Sequence, residues 1–241
     1  MKRLITTFAE SQLGLRISYL RNFPRGTSPS NFADIAEFTR TSKDKSAILD
    51  IGANFGLISG RLLDAFAPPV ELHAFEPSPA VFLKLSDLYR GNQRIHCHQI
   101  AMGEKPGTLQ FEPRPDEPGL GRLADETTNR PTIPVEVTTV DNFLNRESIR
   151  LVPVMKTDTE GFEIAVLEGA RQSLMQGLVK SILIEVSPGN GSSRHVPIRQ
   201  VQDWLAPCHF SLFGLYDFGY RKTGETHYCN ALFKHASIWP K

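Results

Sequence analysis

The sequence predicts an α/β protein built on a mostly parallel sheet, and three observations predict it. Five short apolar runs alternate with stretches of helical periodicity, the first run ends in a glycine-rich turn, and carboxylates recur at the ends of successive runs. Such alternation marks βα units, because parallel neighbours need a crossover connection, usually a helix. The 241 residues suffice for one domain with a sizeable core, and no repeat or low-complexity segment divides them.

Ser46–Ile51 is the first strand, an apolar run closing on Asp50-Ile51-Gly52. A helix starts near Phe55 and reaches Phe66, with Leu57, Ile58, Leu62 and Leu63 spaced for one buried face; Pro68-Pro69 stops it. Val70–Phe75 is the second strand. The helix after it covers Pro79–Tyr89, carries Val81, Phe82, Leu85 and Leu88, and opens with Ser78 as N-cap and Pro79 at N1. Arg94–Ile100 is the third strand. Prolines and glycines then interrupt the rhythm over residues 103–134, which read as an irregular insertion near the substrate site with one short strand at Thr108–Phe111.

The alternation resumes with a strand at Val135–Val140, a short helix at Asp141–Leu144 and a buried strand at Val152–Asp158. A helix over Phe162–Met175, a strand at Ser181–Val186 and a helix over Val196–Leu205 follow. Phe210–Tyr216 and Asn230–Phe233 form a closing antiparallel pair. The core thus spans 45–235, preceded by an N-terminal flank (1–44) with an amphipathic helix between Leu4 and Phe23.

Composition removes several function classes. A formal net charge of +1 lacks the basic excess of nucleic-acid-binding domains. Glu10, Gln12 and Arg16 interrupt the N-terminal apolar stretch before a signal peptide or a stable membrane insertion can form. Cys97, Cys208 and Cys229 are too few and scattered for a disulfide framework, so the expected location is cytoplasmic. His96-Cys97-His98 resembles a metal tract, but with no second ligand cluster in the sequence a structural place at a strand end is preferred.

Chemistry concentrates at three strand ends. In Asp50-Ile51-Gly52-Ala53-Asn54-Phe55-Gly56 the glycines allow positive φ and close approach of a ligand, and the helix start presents free N–H groups. A G-x-G-x-x-G fingerprint would need glycines where Asn54 and Leu57 stand, and no Gly-Lys-Ser/Thr follows, so neither an NAD site nor a P-loop fits. A carboxylate ahead of the turn suits a cationic ligand, an ammonium or sulfonium, better than a pyrophosphate. Glu76, 24 residues past Gly52, stands where an acid accepts hydrogen bonds from both ribose hydroxyls of a nucleoside. In Lys156-Thr157-Asp158-Thr159-Glu160-Gly161-Phe162-Glu163, Asp158 faces the cleft with Glu185 as its neighbour on the next strand. That pair suits holding and deprotonating a substrate hydroxyl or ligating a divalent cation. Lys156 reads equally well as the partner of a neighbouring carboxylate in the sheet, and Glu160 and Glu163 as acids favoured by a helix's first turn.

These blocks, together with Phe75-Glu76-Pro77, Ala101-Met102-Gly103-Glu104, Ile184-Glu185-Val186 and Asn230-Ala231-Leu232-Phe233, resemble the successive motifs of the FkbM family of methyltransferases over about residues 45–235. The Lys-x-Asp-x-Glu-Gly block is the most specific; Thr157 and Thr159 stand where the family usually has apolar residues. The resemblance implies a class I, Rossmann-like fold: a mostly parallel seven-stranded sheet flanked by helices, with an antiparallel strand near the C-terminus. It also implies transfer of a methyl from S-adenosyl-L-methionine to a hydroxyl. On that basis Asp50, Gly52, Ala53, Asn54 and Gly56 are expected to bind the cofactor's amino-acid part and Glu76 its ribose. Pro77, Ser78 and Ala101 would border the adenine, and Asp158, also at the cofactor, would act as base with Glu185 second. The expected acceptor is a sugar of an oligosaccharide, lipo-oligosaccharide or polysaccharide, with His195, His209, Tyr216, Tyr220 and Tyr228 as candidate sugar contacts. A natural-product tailoring enzyme and a non-catalytic cofactor-binding protein are the alternatives. Acceptor choice is expected in the first 40 residues and in 112–134.

Overall fold

The computed structural model describes residues 45–238, apart from 126, 127, 193, 221, 223 and 225. The expected helix between Leu4 and Phe23 lies outside the described residues.

Among the described residues seven strands form the central sheet: β1 (Ala47–Ile51), β2 (Glu71–Phe75), β3 (Ile95–His98), β8 (Met155–Thr157), β9 (Ser181–Val186), β10 (Phe210–Tyr220) and β11 (Thr226–His235). Their order is β10-β11-β9-β8-β1-β2-β3. Only β11 runs against its neighbours, pairing antiparallel with both β9 and β10. The expected sheet, with its antiparallel closing strand, is therefore present.

Strand parity explains the two core layers. Along β1, Ala47, Leu49 and Ile51 point to one face and Ile48 to the other; β9 divides likewise into Ile182, Ile184 and Val186 against Leu183. The first face packs on helices α3 (Val140–Arg146), α4 (Glu163–Gly169), α5 (Arg171–Met175) and α6 (Ile198–Leu205) through Phe143, Val166, Leu167, Leu174 and Val201. The second packs on α1 (Leu57–Asp64) and α2 (Pro79–Leu88) through Leu62, Leu63 and Leu85. Asp50 and Lys156 belong to the α1 face and stand directly opposite each other in the β1–β8 register.

The structure corrects several expected elements. The expected Arg94–Ile100 strand stops at His98, and Ala101–Met102 becomes β4, which pairs with β7 (Ile133–Thr138). With β5 (Gly107–Glu112) and β6 (Arg122–Leu123) these form a second sheet of order β4-β7-β5-β6, so the 103–134 insertion is far more regular than its prolines suggest. The pattern hid it because β6 is two residues long and β7 carries Pro134 within it. The expected strand over Val152–Asp158 shrinks to three residues, since Pro153 has no N–H to donate and its carbonyl accepts instead from Ser181 Oγ at 2.7 Å. The long helix expected over Phe162–Met175 divides at Ala170, whose N–H turns back to the Leu167 carbonyl. Leu57 and Leu88, expected in buried faces, are 73% and 56% exposed because each sits at an end of its helix, beyond the sheet that buries Leu62 and Leu85.

Candidate functional site

The carboxyl ends of β1, β2 and β8 meet at one open cleft. It is lined by Gly52, Asn54, Glu76, Pro77, Ala101 and Asp158 from the sequence-predicted set. Asp50, Ala53, Gly56, Ser78 and Glu185 stand behind or beside that lining.

The β1 turn is bent by three positive-φ residues: Gly52 (φ 74°), Asn54 (φ 52°) and Gly56 (φ 81°). Gly52 has a further constraint, since a Cβ there would lie 1.9 Å from the Asp158 carbonyl oxygen. The two strand ends thus touch backbone to backbone. Asn54, the one non-glycine of the three, turns its side-chain amide to the Gly119 carbonyl at 3.0 Å and its backbone N–H to Glu76 Oε2 at 3.0 Å.

Glu76 lies at the floor of the cleft. Its Oε1 accepts from the Ser78 N–H at 2.9 Å, so each carboxylate oxygen is oriented by one backbone donor and keeps lone pairs for a ligand. Ser78 was expected to cap α2 with its hydroxyl; it makes no side-chain cap bond, and its N–H serves Glu76. Burial pushes Glu76 up to about 7, against the pull of the two N–H groups.

Asp50 is sealed from solvent. Ser59 Oγ, from α1, donates to its Oδ2 at 2.6 Å, and Lys156 Nζ lies 3.3 Å from its Oδ1. The same ammonium donates to the Gly52 carbonyl at 3.3 Å and stands 3.5 Å from Asp158 Oδ2. Burial works against the Lys156 charge, yet the flanking carboxylates of Asp50 and Asp158 outweigh it and raise its pKa. The reading of Lys156 as partner of a neighbouring carboxylate is the one the geometry supports. Asp50 is therefore tied to the Gly52 turn through Lys156 and is not part of the cleft lining. Replacing Lys156 by methionine would leave Asp50 buried without its counter-charge, a loss of about 3–5 kcal/mol. Thermal denaturation of Lys156→Met should show it as a fall in Tm on the order of 10 °C.

Across the cleft, Glu160 adopts φ 56° and pairs with Arg194 at 2.6 Å; Arg194 also donates to the Leu120 carbonyl at 3.1 Å. With the Asn54–Gly119 bond, this pins the short 3-10 turn Pro118–Leu120 at the cleft from two sides. Glu163, 1% exposed, gathers the turn: its Oε1 accepts from the N–H and hydroxyl of Thr159 and the N–H of Gly161, and burial pushes it up to about 7. The β8–β9 register ends at Thr157↔Ile184, one step short of Asp158 and Glu185. Glu185 is held by His195 Nε2 at 3.2 Å, with the His195 ring stacked on Tyr228 at 5.3 Å. Burial raises Glu185, and the Glu185 hydrogen bond raises His195. Of the other candidate sugar contacts, Tyr216 is buried in the core, Tyr220 is 65% exposed, and His209 pairs edge-on with His235.

His96 and His98 share a face, as strand alternation requires, and both stack on His73. His73 Nδ1 and His98 Nε2 are 2.9 Å apart. Burial, reinforced by the neighbouring imidazoles, pushes His73 down to about 3 and His98 to about 4, so both are neutral at pH 7. Among the described residues no group of three or more His, Cys, Asp or Glu side chains is placed to hold a metal ion.

Sequence reasoning missed Ser59, Ile100, Met102, Phe111 and Leu123. A serine facing the sheet from α1, opposite a strand-end acid, was a usable signal for Ser59; nothing in the spacing signals Phe111 or Leu123, which reach the cleft through the second sheet.

A family model described as the methyltransferase FkbM domain matches residues 50–221. Among solved structures, methyltransferase FkbM from Methylobacillus flagellatus KT is similar at 16% identity and a TM-score of 0.53, covering 82% of this chain and 45% of that one. Fibrillarin from Aeropyrum pernix, in complex with natively bound S-adenosyl-L-methionine, aligns at 13% identity and a TM-score of 0.44 over 84% of this chain and 72% of that one. An rRNA methylase from Streptococcus thermophilus aligns at 11% and 0.47 over 85% and 93%. No curated protein sequence matches. The chain spans less than half the length of the FkbM structure it resembles. Among the described residues no helix is long and apolar enough to cross a membrane.

Proposed function

The chain belongs to the FkbM methyltransferase family, and from that premise we propose that it binds S-adenosyl-L-methionine in the Gly52–Glu76–Asp158 cleft and methylates a hydroxyl. The observation that carries this is Glu76: a nearly buried acid whose two oxygens are each aimed by a backbone N–H at the ends of β1 and β2. That donor set fits a nucleoside. Two vicinal hydroxyls can donate to one carboxylate, and the apolar Ile100–Met102 segment beside it suits a base. The N–H groups expected to be free at this turn are taken, Gly52 and Ala53 by the Phe75 carbonyl, Asn54 by Glu76 and Gly56 by the Ala53 carbonyl. Gly52, Ala53, Asn54 and Gly56 would therefore hold the amino-acid end, its ammonium above all, through backbone carbonyls, with Asp50 and Lys156 fixing the turn. Pro77, Ser78 and Ala101 would border the adenine.

When bound, the cofactor supplies an electrophilic methyl on a sulfonium; the residues around it do the positioning. Holding acceptor oxygen and methyl in line can supply about 7–11 kcal/mol. Asp158, partly exposed at the cleft and 3.5 Å from Lys156, is the group that orients the acceptor hydroxyl and takes its proton. Glu185, clamped by His195, is the second carboxylate beside it. The acceptor is a sugar hydroxyl of an oligosaccharide, lipo-oligosaccharide or polysaccharide, with a polyketide-type acceptor as the second outcome of the same assay.

Label transfer from methyl-labelled S-adenosylmethionine to a panel of glycans and polyketides tests this. With an acceptor found, Asp158→Asn should lower kcat by about 10²–10⁴-fold. A full rate in Asp158→Asn would remove the base assignment, and transfer to polyketides alone would overturn the sugar.

A further inference from the structure

The second sheet ends on the cofactor cleft. Phe111, at the end of β5, stands opposite Leu123 of β6 in register; both are nearly buried, and both line the cleft together with Ile100 and Met102. They belong to one small apolar cluster with Ala101, the first residue of β4 at the cleft edge. The Phe111 ring packs against bare backbone, since a Cβ on Gly121, itself at the cleft, would lie 2.5 Å from its Cζ. Beside it an ionic brace holds the short β5–β6 hairpin. Glu112, 2% exposed, has Arg114 at 3.0 Å, Arg130 at 3.7 Å and Arg122 at 3.9 Å, and Arg122 is also bound to Asp125 at 2.9 Å. The hairpin is thus held by β7 along β5 and by these ion pairs at its end, and Phe111 and Leu123 are the apolar side chains it brings to the cleft lining.

We infer that Phe111 and Leu123 form the far wall of the purine subsite, so that this end of the 103–134 segment grips the cofactor's base. The inference rests on the assignment of the cleft to S-adenosylmethionine. From Glu76, which takes the ribose, the base extends toward Ile100–Met102, and Phe111 and Leu123, which share an apolar cluster with Ala101 of that segment, line the same cleft. A flat purine gains most from an immobilised aromatic ring and a dry apolar neighbour. Part of the segment expected to choose the acceptor therefore serves the cofactor.

Calorimetric titration with S-adenosylhomocysteine and with 5′-methylthioadenosine, which keeps purine and ribose but lacks the amino acid, tests the wall. Phe111→Ala should weaken both ligands by the same factor, about tenfold. Phe111→Leu, which keeps apolar volume without the flat ring, should lose less, and Leu123→Ala should weaken both ligands several-fold. A folded Phe111→Ala protein binding both within twofold of wild type overturns the inference, as does a loss confined to S-adenosylhomocysteine. If Phe111→Ala does not fold, Phe111→Leu and Leu123→Ala decide it: unchanged affinity in both overturns it. Wild type that binds neither ligand removes the cofactor assignment itself, and the wall with it.

Discussion

Gly52→Ala is expected to abolish S-adenosylhomocysteine binding and to lower Tm by about 5–15 °C. Two costs add. A φ of 74° in a residue with a Cβ costs about 1–2 kcal/mol. The new methyl would also stand 1.9 Å from the Asp158 carbonyl oxygen, and backbone on both sides gives it no flexible neighbour to displace. Overpacking of this kind costs about 1–3 kcal/mol when the surroundings shift. The shift required would part the ends of β1 and β8, separating the turn from Asp158 and loosening the Lys156 contacts that fix both. A thermal melt and a titration on the purified variant check this; a wild-type melting point would show that the two strand ends are not locked together.

Glu76→Ala is expected to weaken S-adenosylhomocysteine at least tenfold, and about a hundredfold if both hydroxyl bonds to a charged acceptor are lost together. Glu76→Gln adds a more diagnostic result. Burial holds the Glu76 carboxyl near 7, so at pH 6 about nine molecules in ten carry it protonated. Ribose hydroxyls donate to the ionised form; binding must therefore release a proton, and affinity should rise about tenfold from pH 6 to pH 8. Glu76→Gln should flatten that slope. The same shift has the opposite consequence for the free protein. A carboxyl raised in the folded state contributes stability that is present below its unfolded value of 4.5 and is lost as pH rises through about 7. Glu163, also near 7, adds to the same trend. The unliganded protein should thus melt lower at pH 8 than at pH 5, while stabilisation by ligand should be greater at pH 8.

The central sheet was legible in the chain because each parallel strand is buried on both faces and reads as an apolar run. The strands read at Ser46–Ile51 and Ser181–Val186, found at Ala47–Ile51 and Ser181–Val186, needed nothing beyond local pattern. The second sheet was not legible: β4 and β6 have two residues each, and the burial of Phe111 depends on Gly121 and Leu123, ten or more residues away. At the site, Asp50, Glu76 and Asp158 were visible as acids at strand ends. Their division of labour was not, because it is set by cross-strand register and burial. Asp50 meets Lys156 across β1–β8 and is sealed, whereas Glu76 on the neighbouring strand borders the cleft. The pairing of His195 with Glu185 likewise joins a loop to a strand end, and no spacing rule links them.

In the proposed function one cleft binds one nucleoside cofactor, through Glu76. Isothermal titration of the wild-type protein with S-adenosylhomocysteine, run beside Glu76→Ala, measures that directly. Saturable one-to-one binding in the wild type, at least tenfold weaker in the variant, is the predicted result; no heat of binding in the wild type, or equal affinity in the two proteins, would contradict it.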